Sequence, residues 1–149
     1  VVNMDETNFY FDCPSTKTFD EKGAKDIAVT TSGSNARCTV ILAVTLSGKK
    51  LDPFVIFKAK PGGRVEKEFR EGYPEGIHFV VQEKAWNDEE KMCEWIDMVW
   101  KPYAARNNAK KILMMDTVST HECRNITAKI EQSCNTIIAW IPGGYTWKL

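Results

Sequence analysis

Cys38-Thr39-Val40-Ile41-Leu42-Ala43-Val44-Thr45-Leu46 is the run whose reading decides the fold. β-Branched and apolar residues fill it without a break, the composition of a pleated strand. Both of its alternating faces are apolar, so the strand is predicted to be central in a sheet. Ser47-Gly48-Lys49-Lys50 then reads as a hairpin turn, and Leu51 to Phe57 returns as the next strand. Pro53 puts the start of that strand at an edge or a bulge, because proline has no N–H for the ladder. Upstream, Val1 to Phe11 is apolar and aromatic with polar interruptions, a further strand that Cys13-Pro14-Ser15 ends. Ile27 to Thr31 is short and β-branched, another candidate strand, and Gly33-Ser34-Asn35 turns the chain after it.

Downstream the pattern changes. Pro61 to Gly76 is rich in glycine, proline and charge and is predicted to be an exposed loop. Ile77 to Val81 is a short strand. Asn87 is placed to cap a helix, with Glu90 completing a capping box. Met92, Trp95, Ile96, Val99 and Trp100 then recur at i, i+3, i+4, i+7 and i+8, one apolar stripe, until Pro102 is predicted to stop the helix. Ile112-Leu113-Met114-Met115 suits a strand covered on both faces, as in a parallel sheet, with Asp116 at its carboxyl end. Ser119 or Thr120 is predicted to cap a helix running to about Gln132, with Cys123, Ile126, Thr127 and Ile130 on one side. Asn135 to Ile141 forms the last strand, before Pro142-Gly143-Gly144. Strands in succession, then helix, strand, helix, strand, predict an antiparallel meander joined to crossover units. The result is one α/β domain over residues 1–149, a mixed sheet flanked by helices.

Composition agrees with a single soluble globular domain: 149 residues, 43% hydrophobic and 27% charged. Lys+Arg and Asp+Glu are 20 each, so no whole-chain basic field exists, and any nucleic-acid contact must be local or run through metal ions. No apolar run approaches the roughly 20 residues that span a bilayer. The start, Val1-Val2-Asn3-Met4-Asp5-Glu6, is neither a signal peptide nor an initiator methionine, and the chain reads as a piece of a longer protein. Five scattered cysteines without a Cys-x-x-Cys argue against a disulfide framework or a structural zinc site, and for a reducing compartment.

Two acidic residues stand out by context. Asp5 lies inside an otherwise apolar strand and Asp116 at the end of one. A carboxylate against a dry sheet is costly unless it is paired or binds a cation, and α/β sheets place their ligands at the carboxyl ends of strands. On pattern alone, a turn-initiating or helix-capping aspartate competes with a metal ligand.

The surrounding blocks are more specific. Asn3-Met4-Asp5-Glu6-Thr7, Lys22-Gly23-Ala24-Lys25, the Thr39-Val40…Gly48…Pro53-Phe54…Ile56-Phe57-Lys58 hairpin, Trp86-Asn87-Asp88 with Trp95 and Trp100, Met115-Asp116 with His121, and Ile141-Pro142-Gly143-Gly144 with Thr146 follow one another along the chain. In that order they resemble the blocks of pogo/Tigger-type DDE transposase catalytic domains. The resemblance implies a ribonuclease-H-like fold, truncated before the third carboxylate of the family's triad. It implies that Asp5 and Asp116 are the first two catalytic and metal-binding members, with His121 as an accessory group able to touch phosphate or orient a carboxylate. It implies two Mg²⁺ or Mn²⁺ ions in the complete enzyme, DNA as substrate, copies assembled on paired DNA ends, and a nuclear location. The fragment itself is expected not to cut. The alternative is a transposase-derived DNA- or chromatin-binding protein without catalysis; a ribonuclease-H-like nuclease acting on RNA–DNA hybrids is a third reading.

Other residues carry plainer expectations. Glu6 should point to the sheet face opposite Asp5. Trp95 and Trp100 read as core. Lys58, Lys60, Arg64 and Lys67 read as a solvated basic loop, and Gly143-Gly144 lacks the G-K-[ST] of a phosphate-binding loop.

Overall fold

A computed structural model describes residues 1–12, 22–23, 36–72, 74–117 and 123–143, with backbone only at 70 and 71. The strands are β1 (Val2–Tyr10), β2 (Arg37–Thr45), β3 (Phe54–Lys58), β4 (His78–Gln82), β5 (Lys111–Asp116) and β6 (Thr136–Ile141). The helices are α1 (Arg64–Gly72), α2 (Glu89–Trp95), a π-helical turn at Ile96–Trp100, α3 (Lys101–Ala104) and α4 (Arg124–Ser133). The strands form one six-stranded sheet in the order β4-β3-β2-β1-β5-β6. The β1–β2 and β2–β3 pairs are antiparallel, and β3–β4, β1–β5 and β5–β6 are parallel. This is the predicted meander joined to crossover units.

The hairpin after β2 forms where glycine allows it. Gly48 has φ +83°, and its N–H donates to Thr45 O at 2.9 Å. Thr45 Oγ1 accepts from Lys49 N at 2.9 Å. β3 begins only at Phe54, after Pro53, whose carbonyl accepts from His78 N at 2.9 Å.

One face of the sheet is dry. Val2, Met4, Ile41, Ala43, Phe54, Ile56, Leu113 and Met115 project from it into a core closed by Met92, Trp95, Ile96, Val99 and Trp100 of the helical segment and by Ile126 and Ile130 of α4. The apolar stripe read from sequence is therefore the core stripe. Trp95 and Trp100 stack with ring centroids 6.1 Å apart and planes 14° apart. Trp100 Nε1 donates to Thr136 Oγ1 (3.2 Å), whereas Trp95 Nε1 is buried with no hydrogen-bond partner among the described residues.

Several local expectations are corrected. Residues 61–76 are not simply a loop: they hold α1, which is anchored by Phe69 against Phe57 (centroids 4.5 Å apart) and Phe79 (5.6 Å). Glu66 Oε2 accepts from Gly62 N (2.7 Å) in its first turn, and Arg64 pairs with Glu68 at 3.1 Å. The cap of α2 is Asp88, not Asn87: its side chain accepts from Lys91 N at 3.0 Å. Pro102 does not stop the helix. The π turn precedes it, with Lys101 N–H donating to Ile96 O, five residues back. That removes the interior α-helical position in which a proline ring would clash, and Pro102 falls in the first turn of α3, where its missing N–H costs nothing. α4 starts at Arg124, with Cys123 in the N-cap position and no side-chain cap bond; Ser119 and Thr120 lie outside the described residues, as does the candidate strand at 27–31. β5 is dry on one face only, since Ile112 is exposed on the other.

Candidate functional site

The face opposite the core carries Asn3 and Asp5 of β1, Leu42 and Val44 of β2, and Ile112, Met114 and Asp116 of β5, as strand alternation and register require. Among the described residues, α1 covers its β3–β4 end, through Phe69 on Phe57 and Phe79. Nearer β1 it is open: Leu42, Val44, Ile112 and Ile137 are exposed. A depression of 610 Å³ there is lined by Asn3, Asp5, Leu42, Val44, Lys50 and Pro53. A second, of 510 Å³, runs along β4 against Glu90, Lys91 and Glu94 of α2, away from both aspartates.

Asp5 and Asp116 are brought to one level. The ladder pairs Val2 with Leu113 and Asn3 with Met114; the same offset of residue numbers sets Asp5 beside Asp116. Strand alternation then puts the two carboxylates on the same side of adjacent strands. The ladder ends at Asn3–Met114, so both acids sit just past the last paired rung. Two like charges are easier to hold there than inside a paired ladder.

The two carboxylates differ in setting. Asp5 is exposed, and its Oδ1 accepts from Glu6 N at 2.8 Å. Asp116 is half-buried, with Oδ1 shielded from solvent. Asp116 pairs with Ile141 at the end of β6, and Thr117 N donates to Ile141 O (3.2 Å). Pro142-Gly143 therefore leaves the sheet beside Asp116. His121 lies outside the described residues. Among the described residues no group of three or more histidine, cysteine or acidic side chains forms a metal cage.

Glu6 points away from Asp5, as alternation predicts. Its partner is one sequence reading did not find: Asn87 Nδ2 donates to Glu6 Oε2 at 2.6 Å, across 81 residues of chain. Nothing local announces such a bond; the only trace in sequence was that Glu6 and Asn87 both lie in blocks singled out by the family resemblance. Lys58, Lys60, Arg64 and Lys67 are exposed, as read from sequence.

A mixed sheet flanked by helices, with two aspartates level on adjacent parallel strands, defines the class: a ribonuclease-H-like α/β domain. The profile of the DDE superfamily endonucleases matches residues 35–149, and the chain belongs to that family, in its pogo type. Asp5 precedes the matched span. Similar proteins include a mouse "Pogo transposable element with KRAB domain", 30% identical over 99% of this chain, and its human counterpart, 29% identical over the same share. A human "Pogo transposable element with ZNF domain" is 27% identical over all of it. The chain spans 23% of the length of the first two and 10% of the third. No solved structure matches. No described helix is long and apolar enough to cross a membrane.

Proposed function

We propose that this chain is part of the catalytic core of a pogo-type transposase: residues 1–149 form its single, C-terminally incomplete domain and supply the first two carboxylates of the family's metal-dependent cleavage and transfer of DNA strands. The observation that carries the reading is the shared level and face of Asp5 and Asp116. Phosphoryl transfer asks little covalent chemistry of a protein and much charge neutralisation and in-line positioning. Hard carboxylate oxygens suit Mg²⁺ or Mn²⁺, which are commonly held by one or two carboxylates together with substrate phosphate. The donor set fits that demand. Asp5, exposed and oriented by the Glu6 N–H, would meet the ion from the solvent side; Asp116, half-buried, would meet it from the sheet. Once bound, the divalent ions supply charge neutralisation at the phosphate and a lowered pKa for the attacking water.

The residues themselves do the positioning. β1 and β5 carry the acids on one face of the sheet, and β6 ends at Ile141, paired with Asp116. His121 is proposed as an accessory group. DNA is the proposed partner, with copies of the chain assembled on paired ends, in the nucleus.

Titration with Mn²⁺, followed by the ion's paramagnetic resonance signal, tests the reading. Weak binding, roughly of single-ion stoichiometry, is expected for the native chain, with loss in Asp5→Asn and in Asp116→Asn. Equal uptake by all three proteins would sink it. A second reading, a transposase-derived DNA-binding protein without catalysis, has one observation in its favour: the core lies wholly on the other face and does not need the acids. Absence of Mn²⁺ uptake by a folded native chain would select it.

A further inference from the structure

The segment Gln82–Asn87, between β4 and α2, is held more firmly than its position requires. Gln82 Oε1 accepts from both Lys84 N (2.5 Å) and Trp86 N (3.2 Å). Arg37 donates to Lys84 O through Nε (3.0 Å) and Nη2 (2.6 Å). Thr39 Oγ1 donates to Ala85 O at 2.6 Å, and Asn87 holds Glu6. At the centre, Ala85 is buried and sits at φ +56°, a left-handed conformation that costs an L-residue about 1–2 kcal/mol. Strain of this kind persists only where the surroundings over-determine it, and it clusters at functional sites.

The outcome of this bracing is that Trp86, the residue after Ala85, is held 57% exposed. A large aromatic ring held in solvent offers a face for stacking. Lys84 Nζ lies 4.9 Å from its centroid. On the adjoining surface the Arg37 guanidinium lies 5.9 Å from the centroid of Tyr10, itself 44% exposed, and Arg37 Nη1 donates to the Tyr10 hydroxyl (3.3 Å). Two exposed rings, each with its own cation, are thus joined by the Arg37–Lys84 bonds. Aromatic faces alternating with cations are what an unpaired nucleic-acid strand uses: bases stack and phosphates are neutralised.

We infer that Trp86 and Tyr10, with Lys84 and Arg37, form a stacking platform for unpaired bases of the DNA strand flanking the cleavage position. The inference rests on the DNA-processing reading above. The platform is coupled to that site: Asn87, next to Trp86, is bonded to Glu6, next to Asp5. Glu6 and Asp5 project from opposite faces of β1, so the platform holds the flank of the strand, beyond the ends of β1 and β2, and not the scissile phosphate. Glu83, exposed in the same segment, opposes phosphate and tempers affinity.

Fluorescence anisotropy of a labelled single-stranded DNA of about 12 nucleotides, within the usual 4–16-nucleotide site range, tests the platform on the whole chain. Run in EDTA, it is independent of the aspartates and their ions, so the platform and the metal reading can fail separately. The native chain should bind the single strand better than the same sequence as duplex. Trp86→Ala should weaken binding about thirtyfold, the middle of the range for one stacked base; Trp86→Phe should retain most of it, and Glu83→Gln should strengthen it. Because Trp86 is exposed, the urea midpoint of Trp86→Ala should match the native value, which separates lost stacking from lost folding. Leu46→Ser, at the opposite end of β2, should leave binding unchanged. No single-strand binding by the native chain, or equal binding by a folded Trp86→Ala, would overturn the inference.

Discussion

The two faces of the β1–β2–β5 sheet are built from the same strands, residue by residue in alternation, yet they are opposites. Ile41 is completely buried and its neighbour Leu42 is half exposed, at 50%. Met4 is sealed in the core and Asp5 stands in solvent. The covered face has Trp95, Trp100, Ile126 and Ile130 over it; among the described residues the other has α1 at one end and a depression beside Asp5. A strand satisfies both demands because its period is two. The lesson is that stability and chemistry are separable here at single-residue resolution, and substitutions can test the separation.

The largest effect should come from the covered face. Trp100→Ala removes a fully buried indole that stacks on Trp95 and donates to Thr136; a loss of about 3–5 kcal/mol is expected from urea unfolding, a large share of a domain's stability. Next comes the adjacent pair on β2. Ile41→Ala should cost about 2–5 kcal/mol, and Leu42→Ala less than about 1, although the two residues are covalent neighbours. Comparable losses at both would mean that the open face is covered in solution, and would break the comparison.

The smallest effect concerns the rim of the covered face. Lys91 is buried, with Nζ 2.7 Å from Glu94 and 3.3 Å from Glu90. Burial alone would lower its pKa, but the bonds and charges of the two glutamates outweigh burial and hold it above the ordinary 10.5. A raised value for a cation means stability that is complete below the unfolded-state pKa and is lost as pH climbs through the folded-state one. Glu94→Gln should therefore destabilise by about 0.5 kcal/mol, the scale of a partly exposed ion pair, at neutral pH. As pH rises through the folded-state pKa, which lies above 10.5, the variant and the native chain should converge. A constant gap across that range would mean that Glu94 acts through packing and not charge.

How much of this was legible in the sequence depends on range. Cys38–Leu46 announced a central strand because β-branched density is local, and the tryptophan stripe announced the core because its period is helical. Asp116 could be placed at a strand end for the same reason. α1 was hidden: Pro61, Gly62, Gly63, Gly72, Pro74 and Gly76 punctuate its segment, and what makes it a helix is Phe69 finding Phe57 and Phe79, a tertiary contact. The cap moved from Asn87 to Asp88 because Asn87 is taken by Glu6, a partner on another strand. Of the candidate site, the identity of the two acids came from sequence blocks, but that they stand level came only from the β1–β5 register. Trp86 was visible as a motif letter; its exposure depends on Ala85 and, from β2, Arg37 and Thr39 acting together.

The π turn at Ile96–Trp100 has a consequence of its own. A bond reaching back five residues brings positions five apart over one another, and Trp95 and Trp100 are five apart and stacked. The turn therefore acts as a spacer in the helix, carrying one residue more than an α-helical ladder would hold. Deleting a residue from it would restore an ordinary ladder and leave the helix on either side nearly in phase, since the wider turn is what takes up the extra residue. Ala104 would keep its place in the core, and the first damage would fall inside the turn, on the five-residue spacing that stacks Trp95 on Trp100.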